Sequence, residues 1–344
     1  MNNYKYLMAY TIPLSAVLAI SSRGVFSYTT VLYAFGLIPI LEVIIKTHNQ
    51  SFSEEEVSNR LQNKLFDWLL YLNLPWVYGL LFAGLLVMTR ENLSGFELIG
   101  LILSLGIVLG SNGINVAHEL GHRKTKIEQF LSKTLLLPAL YSHFFIEHNH
   151  GHHKNVATKE DPATAQKGES VYFFWIRSVS GQYINAWKIQ KKLLTNQKAS
   201  FFSLKNNMFY ALLLQGVYLT SVFFLFGFNG LCYALGIAVV SFLLLETINY
   251  IEHYGLLRKK INGRYERVRN IHSWNSDHLI GRIVLYELTR HSDHHYIALK
   301  KYQILESKSE SPRLPFGYPT SMLIALLPPL WYVLMHSRLE RLQN

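Results

Sequence analysis

Nine histidines stand at spacings that suit metal ligation. His118 and His122 are four apart, as are His148 and His152 with His153 beside them. His291, His294 and His295 add i, i+3 and i+4, and His253 stands alone in NYIEHYG. Residues four apart on a helix share a face, and the stretch 118–161 alone holds seven of the chain's fifteen histidines. Imidazole suits iron, copper, zinc and nickel. A tetrahedral zinc takes four ligands at most, so this many donors fit two ions with open positions. HELGH (118–122) also fits H-E-x-x-H, the zinc protease helix with Glu119 as general base, but that accounts for two histidines and leaves seven unexplained. A metal transporter would place its ligands at mid-membrane, whereas these fall at helix ends and in polar segments.

The elements that must position these histidines are apolar helices. Half of the residues are hydrophobic, 16% are charged, and the apolar ones are bunched into spans of about 20, the length a bilayer requires. The pattern predicts an all-α integral membrane protein, one membrane-embedded domain over 1–344, with six transmembrane helices near 4–21, 27–46, 66–89, 95–117, 207–227 and 231–250. MNNYKY runs into the first of these without an A-x-A-like cleavage site and reads as a membrane helix. Pro13 and Pro39 are expected to kink their helices. Segment 47–65 reads as a polar loop with a short helix started by a Ser53/Glu56 capping box. Of the 33 Lys and Arg residues, 6 lie in 1–118 and 27 beyond; the turns on the opposite side carry Arg23 and Arg90 and little else. Lys and Arg concentrate on the cytoplasmic face. Both termini and the histidine-rich segments 118–206 and 251–344 are therefore expected in the cytoplasm, with the chain in an inner membrane of bacterial type. The apolar stretch 316–335 is broken by Pro319, Pro328 and Pro329 and is expected to lie on the membrane.

Other chemistries are bounded by what the sequence lacks. The single cysteine, Cys232, falls in an apolar run and reads as a small packed hydrophobe, which leaves no iron–sulfur or rubredoxin-type site. There is no Gly-rich phosphate loop, and the basic balance reads as topology, with no nucleic-acid partner. Gly106, Gly110 and Gly113 share a face of the fourth span, either as a close packing seam or as the wall of a channel leading to His118.

The segments HELGH, EHNHGHHKNVATKEDPA, NYIEHYGL and RHSDHH resemble those of the membrane-bound non-haem di-iron alkane monooxygenases. That family shares a superfamily with xylene monooxygenase and the membrane fatty-acid desaturases. The three histidine boxes are common to desaturases; the HH-x3-AT-x-EDPA continuation and NYIEHYG are more specific to the alkane hydroxylases. The resemblance implies two irons held by His118, His122, His148, His152, His153, His253, His291, His294 and His295. His150 departs from the pattern and is read as a non-ligand. His143, His272 and His278 are read as hydrogen-bonding residues, and His48 and His336 as surface residues. An imidazole ligand usually gives its outer nitrogen to a carboxylate or carbonyl; Glu119, Glu147, Asp161, Glu252 and Asp293 are candidates, with capping or pairing to Arg123, Lys154 and Arg290 as the alternative.

The activity so implied is hydroxylation of the terminal methyl of n-alkanes with O2. Its rivals are fatty-acyl desaturation or hydroxylation and alkyl-aromatic hydroxylation on the same metal site. Electrons are expected from a separate rubredoxin or ferredoxin and its reductase. The basic surface of Lys188, Lys191, Lys192, Arg258, Lys259 and Lys260 could dock an acidic carrier or simply face lipid headgroups. Substrate would arrive from the bilayer through a tunnel among the first four spans, with Trp68 or Trp76 as possible stops.

Overall fold

A computed structural model describes residues 3–45, 47 and 51–343; the inner end of the expected second span and His48 lie outside them. The fold is helical, apart from a two-stranded ribbon, Lys260–Ile261 with Arg264–Tyr265. Asn262 and Gly263 between those strands both have positive φ, as a tight Asn-Gly hairpin turn requires.

Among the described residues, four helices are long and apolar enough to cross a membrane: Gly24–Ile44, Leu65–Arg90, Gly95–Gly121 and Asn207–His253. The expected first span is divided into a 3-10 segment, Asn3–Tyr10, and an α-helix, Thr11–Ser21. In the second, a π-helical turn, Tyr33–Leu37, precedes Pro39, which has no N–H to offer the preceding turn. The capping box at Ser53 forms with both arms: Ser53 Oγ accepts from the Glu56 amide, and Glu56 accepts from the Ser53 amide.

The fifth and sixth expected spans are continuous as one helix of 47 residues, interrupted only at Gly227 with φ 69° and ψ −171°. No other residue type adopts that conformation readily. The chain turns back there. Phe226 packs on Phe82 and Gly230 lies against Thr89, after which Gly236 meets Ile102 of the fourth span and Ile237 and Val240 meet its Gly106. A Cβ on Gly106 would stand 2.4 Å from Val240, so Gly106 is a packing residue, whereas Gly110 borders open space near Leu244. Cys232 is exposed on the outer face of this helix. The apolar run around it therefore marks an outer surface, not the packed interior expected for it. The stretch 316–335 forms two helices, Tyr318–Ala325 and Pro328–Leu342, meeting at 120°.

One core fills the interior of the apolar helices. A second gathers Tyr250, Tyr254, Trp274, Trp331, Met335 and Leu339 where the C-terminal helix crosses the end of the long helix. Between them runs a buried ion network. Glu287 takes Arg282 Nε at 2.8 Å, Arg290 Nε at 3.4 Å and Lys5 Nζ at 3.3 Å, and accepts the Tyr6 hydroxyl at 2.8 Å. Burial pushes this carboxyl up, but Arg282 and Arg290 outweigh it and hold the group at about 2. The network ties the N-terminal segment to the residue preceding His291.

A carboxyl lowered from the usual glutamate value of about 4.3 stabilises the fold above that value, and the contribution is lost as pH falls toward 2. Glu287→Gln should therefore lower stability by about 3–5 kcal/mol, the cost of leaving buried cations unpaired. It should also flatten the acid limb of the stability curve between about pH 4 and 2, read from thermal unfolding of the detergent-solubilised protein.

Candidate metal centre

The fourth span sets the first two histidines. Ser94 caps it with Glu97, and its regular turns run to Val108. A π-helical segment, Leu109–Ile114, then inserts residues and rephases the short helix Asn115–Gly121, which carries His118. A second π-helical turn, His148–His152, follows Phe144–Glu147. This widening separates neighbours that a regular helix would leave on one face: His148 and His153 point to one centre and His152 to another. Gly151 lets this turn approach the helix Val171–Asn196, where a Cβ would stand 2.9 Å from Asn185 and Ile189. The helix His291–Tyr296 divides its histidines in the same way.

All nine expected histidines converge, in two groups. His118, His122, His148, His153 and His294 form one; His152, His253, His291 and His295 form the other. In the first, Nε2 atoms are 3.0 Å apart for His118 and His294, 3.1 Å for His122 and His148, 3.0 Å for His148 and His153, and 3.1 Å for His153 and His294. In the second they are 2.8 Å apart for His291 and His295 and 3.1 Å for His253 and His291. His152 and His295 are 3.2 Å apart. With a metal–nitrogen bond of about 2.1 Å, ligands at right angles place neighbouring nitrogens about 3.0 Å apart, against about 3.4 Å in a tetrahedron. The spacing fits centres of five or six positions more closely than tetrahedral zinc.

Burial holds the His122 imidazole at about 3 and pushes His148, His153, His291, His294 and His295 well below the ordinary histidine value. These are neutral donors, as metal binding needs. His152 is the exception: burial lowers it, but Asp161 prevails and raises it.

The five carboxylate candidates part company. Asp161 Oδ2 accepts from His152 Nδ1 at 2.9 Å and is held by Thr164 Oγ1 and the Ala163 amide. Glu252 meets an imidazole from the inner side: its Oε2 is 3.2 Å from His291 Nε2, the nitrogen that faces the centre, while Oε1 accepts the Tyr318 hydroxyl at 2.6 Å. The other three contact no imidazole among the described residues. Glu119 is taken by Arg123 Nε and Nη2 at 3.0 and 2.8 Å, which also removes it from the position of a protease base. Glu147 accepts from Asn185 Nδ2. Asp293 accepts from Lys300 Nζ and the Glu306 amide. In Glu119 and Asp293 charge pairing, and in Glu147 an amide on the neighbouring helix, prevail over histidine support.

Among the remaining histidines, His150 is exposed and outside both groups. His272 Nδ1 accepts the Arg269 amide and His278 Nδ1 stands 2.9 Å from Ser276 Oγ. His143 differs from expectation, for its buried Nε2 has no hydrogen-bond partner among the described residues. His336 is half-buried, stacked on Tyr332 and 3.0 Å from the Tyr254 hydroxyl.

Above the two groups lies an apolar cavity of ≈90 Å³, with His118, His148, His291 and Glu252 at its polar end. Its walls come from the first, second and fourth apolar segments (Ile12, Ile38, Ile107), the end of the long helix (Leu245, Ile248) and the segment 281–288. The third span contributes no wall. Trp68 is 60% exposed and Trp76 faces Tyr10 outside the cavity, so neither closes it.

Two buried carboxylates in apolar runs have no counterpart in the sequence reading. Glu246 accepts from Tyr141, Gln182 and Asn249, and Asn249 lines the cavity. Glu42 accepts from the Gly281 amide, while its other oxygen has no partner among the described residues. An acid inside a membrane-length run was a usable signal in both cases.

A family model described as fatty acid desaturase matches residues 94–308. The chain is 37% identical over 305 residues to alkane 1-monooxygenase 1 of Alcanivorax borkumensis, covering 88% of this chain and 75% of that protein. Alkane 1-monooxygenase 2 of the same organism is 35% identical over 99% of this chain and 91% of its own length. An alkane 1-monooxygenase of Pseudomonas putida is 35% identical over 93% of this chain and 80% of that protein.

Asp161→Asn keeps the shape of the His152 contact but removes its charge. It should weaken metal binding about 10- to 100-fold, read as metal retained through graded chelator dialysis, with helical content unchanged by circular dichroism.

Proposed function

Because the chain belongs to the alkane 1-monooxygenases of the fatty acid desaturase superfamily, we propose that the two histidine groups each hold one iron and serve terminal hydroxylation of n-alkanes. The reaction takes R–CH3, O2, two electrons and two protons to R–CH2OH and water. The observation that carries this reading is the convergence of nine Nε2 atoms at right-angle spacing beneath an apolar cavity. His118, His122, His148, His153 and His294 would hold one iron. His152, His253, His291 and His295 would hold the other, with Glu252 close enough to complete it. The irons supply the reduction of O2 and the attack on the C–H bond.

The chain's own residues do the rest. An alkane has no polar handle, so position comes from shape: each buried methylene is worth about 0.8 kcal/mol. Ile12, Ile38, Ile107 and Ile248 confine the chain so that only one end meets His118, His148 and His291. Tyr318 fixes the Glu252 carboxylate, and Asp161 fixes the His152 ring. The apolar walls exclude water from the reacting end.

The same reading gives six spans. Gly227 divides the long helix into halves that, at about 1.5 Å per residue, are about 30 and 39 Å long, each enough to cross a bilayer core of about 30 Å. With Thr11–Ser21 as part of the first span, both termini and the histidines fall on the side richest in Lys and Arg, the cytoplasmic face of an inner membrane. Electrons come from a rubredoxin or ferredoxin with its reductase. His150, Lys154 and Lys192 border a polar surface pocket of ≈270 Å³ beside the His148–His153 turn, with exposed Lys188 and Lys191 nearby; this basic surface suits an acidic carrier.

Two outcomes are expected. The protein purified from iron-supplemented cells should carry about two irons per chain, and His295→Ala should lose half or more; one zinc, indifferent to His295, would sink the di-iron reading. With 18O2, an electron carrier and its reductase, n-alkane should give 1-alkanol bearing one labelled oxygen by mass spectrometry. An unlabelled alkene would instead identify a desaturase.

A further inference from the structure

The cavity above the histidines does not stand alone. It shares Phe35, Leu244 and Met322 with an apolar cavity of ≈220 Å³, which in turn shares Trp175 and Leu243 with a groove of ≈740 Å³. The groove lies between the helix Val171–Asn196 and the inner half of the long helix, and its remaining walls include Tyr172, Val179, Tyr183 and Phe242. Beside it, Phe173 and Ile176 are 61% and 73% exposed, an apolar surface suited to the membrane interface.

Among the polar groups in this lining, one is buried without a hydrogen-bond partner among the described residues. His143 is 7% exposed, is flanked by the rings of Tyr141 at 4.2 Å and Tyr183 at 5.4 Å, and its Nε2 is buried with no hydrogen-bond partner among the described residues. A buried nitrogen without a partner is costly, and it gains nothing from an alkane or an acyl chain. Along the series it is two cavities from the one above the histidines, and Phe144, packed on His118 and His148, divides it from them directly.

We infer that this groove is a binding site for the primary alcohol, through which product leaves: the hydroxyl bonds to His143 and the alkyl chain lies on Tyr172, Trp175, Val179 and Tyr183. The role in release rests on the hydroxylase reading. Substrate and product differ by one hydroxyl, and the groove holds the unpartnered His143 Nε2 where the product would turn toward the interface. Burial holds His143 at about 4, so near neutrality its ring offers one donor and one acceptor. That matches a hydroxyl and gives no charge to attract a carboxylate or phosphate.

The test uses full-length protein in lipid nanodiscs with two photoreactive probes, 1-dodecanol and n-dodecane, each carrying a diazirine in mid-chain. The alcohol probe should label peptides within 172–183 and be competed by 1-dodecanol but not by n-dodecane. His143→Phe should reduce that labelling at least tenfold, and His143→Gln, which keeps a donor and an acceptor, should retain most of it. Val179→Trp, which fills the groove by a different route, should also abolish labelling and lower kcat for n-dodecane with little change in KM. Equal labelling by both probes, or labelling indifferent to His143→Phe, would mark a seat for lipid chains and overturn the proposal, as would no labelling. Turnover is measured on the same preparation. Alcohol formation without alcohol-selective labelling overturns the groove alone. Selective labelling without alcohol formation overturns the hydroxylase reading and the release role together and leaves the alcohol site standing.

Discussion

Nine imidazole nitrogens packed 2.8–3.2 Å from their neighbours in a buried region are an unfavourable arrangement on their own. Lone pairs face lone pairs, water is largely excluded, and a polar atom in such a place costs free energy unless something satisfies it. Protonation offers no escape, because burial drives most of these rings to the neutral form. The proposed pair of cations would resolve the conflict, and neutral imidazole is the form that binds them. The surrounding fold is what keeps the donors converged.

That support comes from outside the histidine boxes. The Glu287 network fixes Arg290 against the N-terminal segment, so the helix that carries His291, His294 and His295 starts from a rigid point. The Arg123–Glu119 pair holds the end of the fourth span, and Tyr302 donates its amide to the same carboxylate. Buried ion pairs contribute little net stability, since desolvation offsets attraction. Their value lies in fixing position, and positions within a few tenths of an ångström decide whether a ligand reaches its metal.

Much of this site was legible in the sequence because its signal is chemical and dense. Histidine at i, i+4 in several segments has few structural explanations, and all nine residues do converge. Which histidine belongs to which group was not legible: the π-helical turn at His148–His152 sends His148 and His153 one way and His152 the other, against the i, i+4 rule. The carboxylates were less readable for the same reason. Adjacency in sequence gives a side chain no direction, and Glu119, Glu147 and Asp293 turn to Arg123, Asn185 and Lys300 instead. The apolar runs gave the helices, but not the course of the chain at Gly227 or the division of the first segment, since hydropathy records composition and not backbone geometry. Cys232 was misplaced because an apolar residue in a membrane helix is as much at home facing lipid as facing the core.

The division of labour between polar and apolar parts follows from the substrate class. Where a ligand carries hydroxyls or charges, a site can be specified by a few hydrogen bonds, and their loss discriminates strongly. A saturated chain offers only volume and length, so the cavity walls must carry selectivity, and each wall residue contributes no more than the methylenes it touches. This explains the composition of the cavity, in which aliphatic side chains from distant parts of the sequence meet and the histidines and Glu252 mark the reacting end. It also accounts for Glu246, beside the cavity through Asn249, being engaged by Tyr141, Gln182 and Asn249. Left unpaired, that carboxylate would hold water, and water at the reacting end would compete with the substrate for the same small space.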